Sequence, residues 1–253
     1  MREQTEPSVD AQSAPPVPTA GADDQYGEAF YKGYGGRLNQ YWWARRFYAN
    51  IIKRYRASGK VLEIGCGLGH ALMRLEDRFE TYGIDVSEYA IEQARANSPR
   101  SVLRVATAEE VGSLPGPFDV IAAFHVIEHL VDPGAVLNEC ARMTKPGGLL
   151  IIATPNTEAP FAKGKGAQWY AARDPTHISL KSPDEWFALI QQAGYRVRRA
   201  FGDGMWDVPY VPVIPSQLQL LLFGLPAVLQ VLSSIPFIPV RLSESLILVA
   251  ERT

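Results

Sequence analysis

The sequence contains few cysteines and little net charge. Its two cysteines, Cys66 and Cys140, are too few for a disulfide scaffold or for a four-cysteine zinc site. Lysine and arginine total 25 residues against 27 aspartates and glutamates, so the chain has no broad positive surface for nucleic acid. We therefore expect no nucleic-acid partner, and we expect a reducing, cytoplasmic compartment.

A secretory signal pattern is missing from residues 1–24, which lack a basic start followed by an apolar run. Proline, alanine, serine and acidic residues dominate this segment, and they cannot build a hydrophobic core. We predict a disordered tail over residues 1–24 and one folded α/β domain over residues 25–253.

Short apolar runs alternate with helical patterns through the rest of the chain, which is typical of βαβ units and a mostly parallel sheet. Asp132 precedes a helix predicted to run to about Met143, and a Lys-Pro-Gly-Gly sequence over 145–148 is predicted to end it and turn the chain. Ser182 precedes a second helix, which Gly194 ends. The predicted strands are Val61–Ile64, Thr81–Ile84, Val102–Val105, Phe118–Ala123, Leu149–Ala153, Tyr195–Ala200 and Leu246–Val249.

An aromatic-rich amphipathic helix is predicted before the first strand, from Arg37 to Tyr55. It belongs to a helical cap that we place over residues 25–57. A cap in this position would lie over the ligand edge of the sheet.

The strongest functional signal is the sequence VLEIGCGLG at residues 61–69, followed by a helix predicted over His70–Arg78. Alternating glycines let the backbone turn tightly and approach a ligand, and a helix start offers free N–H groups and a positive dipole end. Asp85 ends the next strand, where doubly wound folds place a carboxylate for ribose hydroxyls. The alternatives are a turn without a ligand and, for Asp85, an N-cap of the helix near Ser87.

The glycine pattern separates two kinds of nucleotide site. A dinucleotide fingerprint needs a glycine where His70 stands, which argues against a nicotinamide dehydrogenase. The pattern G-x-G-x-G, with Glu63 before it and IDVS after it, resembles the first motif of class I S-adenosylmethionine (SAM) methyltransferases.

Three later segments extend this resemblance. FDVIAAFHVIEHL (118–130) and KPGGLLIIATPN (145–156) resemble the fourth- and fifth-strand motifs of the branch that contains the ubiquinone-biosynthesis and small-molecule O-methyltransferases. THISLKSPDEWFALIQQAGY (176–195) is similar to a segment that follows in those proteins. The resemblance covers residues 60–200 and implies a Rossmann-like α/β fold: a seven-stranded, mostly parallel sheet with an antiparallel last strand and helices on both faces.

The resemblance also implies that SAM is the cofactor and which residues bind it. The loop glycines would contact the methionine part, Asp85 the ribose, and residues 86, 108 and 109 the adenine. Position 107 is a threonine where the family often has an aspartate. The resemblance therefore assigns no residue to the contact with the adenine amino group. The implied cofactor-binding residues are Glu63, Gly65, Gly67, Gly69, Asp85, Val86, Ala108, Glu109 and Phe124.

Methyl transfer requires an acceptor lone pair held facing the methyl group and, for a poor nucleophile, a base. Histidine is the natural base near neutral pH. We predict His177 as the first candidate and His125 as the second; loop bracing is the alternative for His177. His125, His129 and Glu128 have donor types that also suit a metal, but we favour a bracing role for Glu128 and His129 and assign no metal.

A long segment over residues 202–242 has no charge between Val208 and Val240. It leaves from the ligand edge in the implied topology, and its leucines at 218, 221, 222, 225, 229 and 232 form an apolar stripe that Pro226 interrupts. The stripe is interpreted as packing on the domain core or a second subunit, or as a lid with contact to a membrane. Frequent prolines argue against a simple spanning helix.

The sequence therefore predicts a SAM-dependent methyltransferase that acts on a hydroxyl, less favourably an amine, of a small or lipid-linked metabolite. A homodimer and a peripheral membrane contact stay open. The alternative is a SAM-binding scaffold that uses the apolar segment to join a membrane or a protein complex.

Overall fold

The computed structural model describes residues 26–35 and 38–253, so the tail predicted for residues 1–24 lies outside the described residues. The strands form one seven-stranded sheet in the order β3-β2-β1-β4-β5-β7-β6. They are β1 (Gly59–Ile64), β2 (Phe79–Asp85), β3 (Val102–Val105), β4 (Phe118–Phe124), β5 (Thr144–Pro155), β6 (Tyr195–Gly202) and β7 (Ser245–Arg252).

The strand directions place the carboxyl ends of the central strands at one edge. β1 runs parallel to β2 and β4, with Ile64 opposite both Ile84 and Ala123. β7 runs antiparallel to its neighbours β5 and β6. The seven-stranded sheet with an antiparallel last strand, as expected from the sequence, is confirmed.

The described α-helices flank this sheet. They are α1 (Glu28–Gly35), α2 (Leu38–Tyr55), α3 (Glu88–Asn97), α4 (Pro133–Met143), α5 (Ala162–Lys165), α6 (Pro183–Gln192) and α7 (Ser216–Ser233).

Alternating side chains of the strands feed two separate apolar clusters, one on each face of the sheet. Leu62 faces the cluster that contains Trp186 of α6, whereas its neighbour Val61 faces the cluster that contains Phe47 of α2. Trp186 is fully buried. Both faces are therefore covered by helices, as a mostly parallel sheet requires.

Local signals fix the helix ends where the sequence predicts them. The Asp132 carboxylate accepts a hydrogen bond of 2.9 Å from the Ala135 N–H at the start of α4. Ser182 and Glu185 form a reciprocal capping box on α6, which ends just before Gly194 (φ 87°). The Lys-Pro-Gly-Gly segment over 145–148 follows the end of α4 and turns the chain at the start of β5, since Gly147 has φ 69° and the pairing with β4 jumps from Thr144 to Leu149.

Helix α7 contains the leucine stripe, with Pro226 inside the helix. The six leucines of the stripe are between 47% and 63% exposed. The interpretation that the stripe packs on the core of its own domain is therefore wrong. By length and composition α7 is long and apolar enough to cross a membrane. No other helix among the described residues meets this criterion.

The cap on α4 gives a test of the fold. Replacing Asp132 by alanine removes the acceptor for the Ala135 N–H, so the free energy of unfolding should fall by about 1 kcal/mol. Urea denaturation followed by circular dichroism measures this change. Asp132→Asn keeps a side-chain acceptor and should stay within a few tenths of a kcal/mol of the wild type; an equal loss in both variants would contradict the capping role.

Candidate functional site

The loop after β1 requires glycine at alternate positions. Gly65, Gly67 and Gly69 have φ values of 66°, 52° and 76°, a region that other residues rarely adopt. A Cβ on Gly65 would lie 2.3 Å from Val126 Cγ2, and one on Gly69 would lie 2.7 Å from Ser98 Oγ. Only glycine therefore fits at these positions of the loop.

The segment after this loop differs from the prediction. Instead of an α-helix over His70–Arg78, it contains a single 3₁₀ turn, Leu72–Arg74, among bonded turns. The backbone bonds mix three- and four-residue steps: Arg74 N–H donates to Ala71 O, whereas Met73 N–H donates to Gly69 O. The segment thus lacks the long aligned dipole of a helix, and the amides of Cys66, Gly67 and Gly69 already donate to Ile84 O, Asp85 and Cys66 O.

Asp85, at the end of β2, binds the glycine loop. One carboxylate oxygen accepts the Gly67 N–H at 2.8 Å, and the other accepts the Ser87 N–H at 3.0 Å. Burial raises the pKa of Asp85, while these hydrogen bonds and Arg45 oppose the rise. Ser87 is the N-cap of α3, so the alternative that Asp85 caps this helix is wrong.

Glu63 is buried beside the same loop. Its Oε1 lies 3.3 Å from Arg45 Nη1, and its Oε2 has no hydrogen-bond partner. Burial raises the pKa of Glu63 to about 7. Arg45 lowers this pKa, whereas the Asp85 carboxylate raises it. A buried orphan oxygen beside a glycine cradle fits a ligand that carries a donor or a positive charge.

The positions assigned to the adenine lie after β2 and β3. Val86 is half-buried, Ala108 is buried and Glu109 is exposed. Thr107 caps the 3₁₀ turn Ala108–Ser113 in a capping box with Glu110. This capping role explains a threonine at position 107.

Beyond β4, the chain presents His125 in a left-handed conformation, φ 58°. Its Nε2 lies 3.0 Å from the Tyr48 hydroxyl of α2, and its Nδ1 lies 3.3 Å from Glu128 Oε1. Nε2 is hydrogen-bonded to the Tyr48 hydroxyl, whereas neither oxygen of the buried Glu128 carboxylate has a hydrogen-bond partner, so Nδ1 contacts Glu128 without a hydrogen bond. Phe124 is buried with its ring stacked on Tyr48 at 4.2 Å, so at this strand end the histidine is the group that remains accessible.

His177 lies next to His129, with ring centroids 4.7 Å apart. Its Nδ1 is 2.7 Å from the Ala171 carbonyl oxygen, which only accepts, so Nδ1 is protonated and Nε2 keeps its lone pair. The Asp174 carboxylate lies 3.8 Å from that Nε2. This is the arrangement of an oriented base with a nearby negative charge.

Donor atoms of Glu128, His129 and His177 lie within 4.8 Å of one another, a spacing that can hold a metal ion. The sequence suggested His125 for this group, and the structure puts His177 in its place. His129 Nδ1 bonds the Thr176 hydroxyl at 2.8 Å, which is a bracing contact. The preference for bracing over a metal stays a prediction.

Several site residues come from the N-terminal helices and were not assigned individually from the sequence. Arg45 and Tyr48 contact Glu63 and His125, as described above. The Tyr31 hydroxyl lies 3.6 Å from the point that a Cβ on Gly67 would occupy. Tyr26 lies 3.4 Å from His129 Nδ1. The aromatic-rich composition of the helix predicted over 37–55 was the one available signal.

The raised pKa of Glu63 predicts how stability depends on pH. The folded state holds its proton up to about pH 7, whereas the unfolded carboxyl releases it near 4.5, so this group destabilises the fold increasingly between those values. Glu63→Gln should therefore unfold at a higher temperature than the wild type at pH 8, and the gap should shrink toward pH 5. Calorimetric scans measure both; a gap independent of pH would contradict the assignment.

Comparison with known proteins places the chain in a family. Residues 40–200 match the family model described as a methyltransferase domain. The chain is 30% identical over 164 residues to a "probable S-adenosylmethionine-dependent methyltransferase" of Mycolicibacterium smegmatis, a match that covers 64% of this chain and 62% of the relative. It is 39% identical over 157 residues to a ubiquinone biosynthesis O-methyltransferase of a Caulobacter strain, covering 56% and 62%.

The match thus spans about three fifths of the length of these relatives. The fold agrees with the crystal structure of a SAM-dependent methyltransferase from Thermotoga maritima, with a TM-score of 0.61 at 18% identity over 93% of this chain and 100% of that one. The protein belongs to the class I SAM-dependent methyltransferases, a family whose cofactor is SAM.

Proposed function

We propose that the protein transfers a methyl group from SAM to a hydroxyl, less favourably an amine, of a small or lipid-linked metabolite. The observation that carries this proposal is a shared sheet edge: the glycine loop, Asp85 and an oriented imidazole cluster all follow the carboxyl ends of neighbouring strands. Cofactor and acceptor sites meet at such an edge.

One end of this edge fits the cofactor. SAM supplies an electrophilic methyl group on a positively charged sulfur. The loop glycines would hold its methionine part, Asp85 its ribose, and residues 86, 108 and 109 its adenine. Glu63, with its orphan oxygen, and the adjacent Asp85 would supply hydrogen-bond acceptors, and Phe124 is buried at the end of β4.

The other end fits an acceptor with a proton to lose. His177 would take that proton at Nε2, because its Nδ1 is held by the Ala171 carbonyl. Asp174 would stabilise the resulting imidazolium. His125, whose side chain is 32% exposed, is the second candidate.

An apolar groove favours an acceptor with a hydrocarbon part. The groove has a volume of about 280 Å³ and lies between α7 and the segment that returns to β7. No charged residue lines it. Its walls are Gly204, Met205, Leu222, Phe223, Pro226, Phe237, Ile238, Pro239 and Leu242.

The cofactor assignment can be tested at Asp85. Asp85→Ala removes the acceptor for two ribose hydroxyls and releases the Gly67 amide, so SAM affinity should fall roughly 100-fold. Isothermal titration calorimetry measures it. The matched control is Asp119→Ala. Like Asp85, Asp119 accepts a backbone N–H, and it also pairs with a lysine, but it lies at the opposite edge of the sheet. Unchanged affinity in Asp85→Ala would remove this residue from the site.

The acceptor assignment can be tested at the two histidines. His177→Ala should lower kcat by about 100-fold or more while SAM affinity stays close to the wild-type value, since the residue acts on the acceptor proton. His125→Ala should have the smaller effect. The reverse order would make His125 the base, and full activity of both variants would exclude these two histidines as the base.

The alternative is a scaffold that binds SAM without turnover and uses the exposed helix α7 to join a complex. It predicts normal SAM affinity and no methylated product with any hydroxylated or aminated acceptor. The oriented lone pair of His177 favours the catalytic proposal.

A further inference from the structure

Helix α7 exposes most of its apolar side chains and buries two of its three glutamines. Gln219 and Gln230 have no exposed surface, whereas the leucines of the stripe are about half exposed. A helix on a water-facing surface shows the opposite arrangement. The burial pattern of α7 is therefore inverted.

The buried glutamines fix this orientation by hydrogen bonds to neighbouring backbone. Gln219 accepts the N–H groups of Tyr210 and Val211 and donates to the carbonyls of Val211 and Ile214. Gln230 donates to Gly202 O and accepts the N–H groups of residues 237 and 238, at 2.8 and 2.9 Å. Turning the leucines inward would break all of these bonds, so the exposed stripe is a fixed feature.

The stripe forms a continuous surface. At about 100° per residue, the six leucines fall within an arc of roughly 100° along the whole helix, which is about 27 Å long. Apolar side chains continue beyond both helix ends, at Val213, Ile235 and Phe237, which are 88%, 49% and 50% exposed. This continuous apolar area is larger than the area of the single exposed apolar residues on an ordinary protein surface.

The chemistry of this surface distinguishes its partner. Protein interfaces combine an apolar centre with a polar rim and about one hydrogen bond per 100–200 Å², and leucine and valine rarely dominate their binding energy. Here no residue from Val208 to Val240 is charged, and the stripe itself offers no donors or acceptors. Lipid acyl chains carry no charge and form no hydrogen bonds, so this surface matches a hydrocarbon phase.

The attachment of α7 decides how it meets that phase. Its inner side is held by the glutamines, by the Asn50 amide, which donates to Ser234 Oγ at 2.7 Å, and by Tyr210 against Phe223. A spanning helix would have to leave all these contacts. We propose that the leucine face of α7 docks the protein on a lipid bilayer, with the helix lying in the membrane surface.

Docking in this way connects with the acceptor end of the site. Tyr210 donates to Glu244, and Glu244 accepts the indole N–H of Trp169 at 2.9 Å. Trp169 and Ala171 share one small apolar cluster, and the Ala171 carbonyl orients His177. Through these contacts the helix that would dock on the bilayer is linked to the segment that orients this histidine, the candidate base for a membrane-dissolved acceptor. This last step rests on the proposed function, whereas the docking itself does not.

The test is flotation of the purified full chain with uncharged phosphatidylcholine vesicles. The protein should float with the vesicles, and raising NaCl from 0.1 M to 1 M should not release it, because the contact is apolar. The double variant Leu221→Gln with Leu225→Gln should bind at least about tenfold more weakly. Glutamine keeps the helix propensity at these exposed positions.

The matched control is the double variant Val102→Gln with Val131→Gln, which alters two exposed apolar residues, 53% and 74% exposed, away from α7. It should bind vesicles like the wild type. SAM affinity, measured on every variant, reports correct folding.

Three results would overturn the proposal. The first is a folded wild type that stays in the soluble fraction. The second is binding that requires anionic lipid and disappears in 1 M NaCl. The third is a dimer in sedimentation equilibrium that the Leu221 and Leu225 changes dissociate without any vesicle binding. Flotation without methyl transfer would leave the docking intact and contradict the proposed function alone.

Discussion

The hydrogen bond from the Gly67 amide to the Asp85 carboxylate holds the cofactor edge together. It joins the loop after β1 to the end of β2, and the second oxygen of Asp85 fixes the chain that enters α3. Burial raises the pKa of both Glu63 and Asp85, Arg45 lowers both, and the Asp85 carboxylate raises that of Glu63 further. A positively charged ligand at this edge would lower the pKa of both acids and favour their ionised forms, which suits the family's cofactor.

The N-terminal helices complete this edge. α2 brings Arg45 to Glu63 and Tyr48 to His125, and the segment before it brings Tyr26 to His129. Each contact joins residues far apart in the chain, so the cofactor end and the imidazole cluster are stabilised by the same cap. The N-terminal helices therefore contribute residues to the candidate site.

Polar bonding and apolar exposure are linked in α7. Gln219 and Gln230 satisfy loop backbone groups that would otherwise be buried without partners, and this fixes the leucines on the outside. Exposed leucines gain nothing in water, so the outward-facing stripe supports the proposed docking on an apolar phase.

The sequence by itself determined the strand positions, the glycine loop, Asp85 and the helix ends at Asp132 and Ser182, because these depend on local periodicity, backbone freedom and capping. It failed over His70–Arg78 and left the direction of the leucine stripe open. Only the tertiary structure decided that His177 joins Glu128 and His129, that α2 supplies Arg45 and Tyr48, and that α7 faces outward. The physical reason is that these outcomes depend on contacts between segments distant in the chain, which local patterns do not encode.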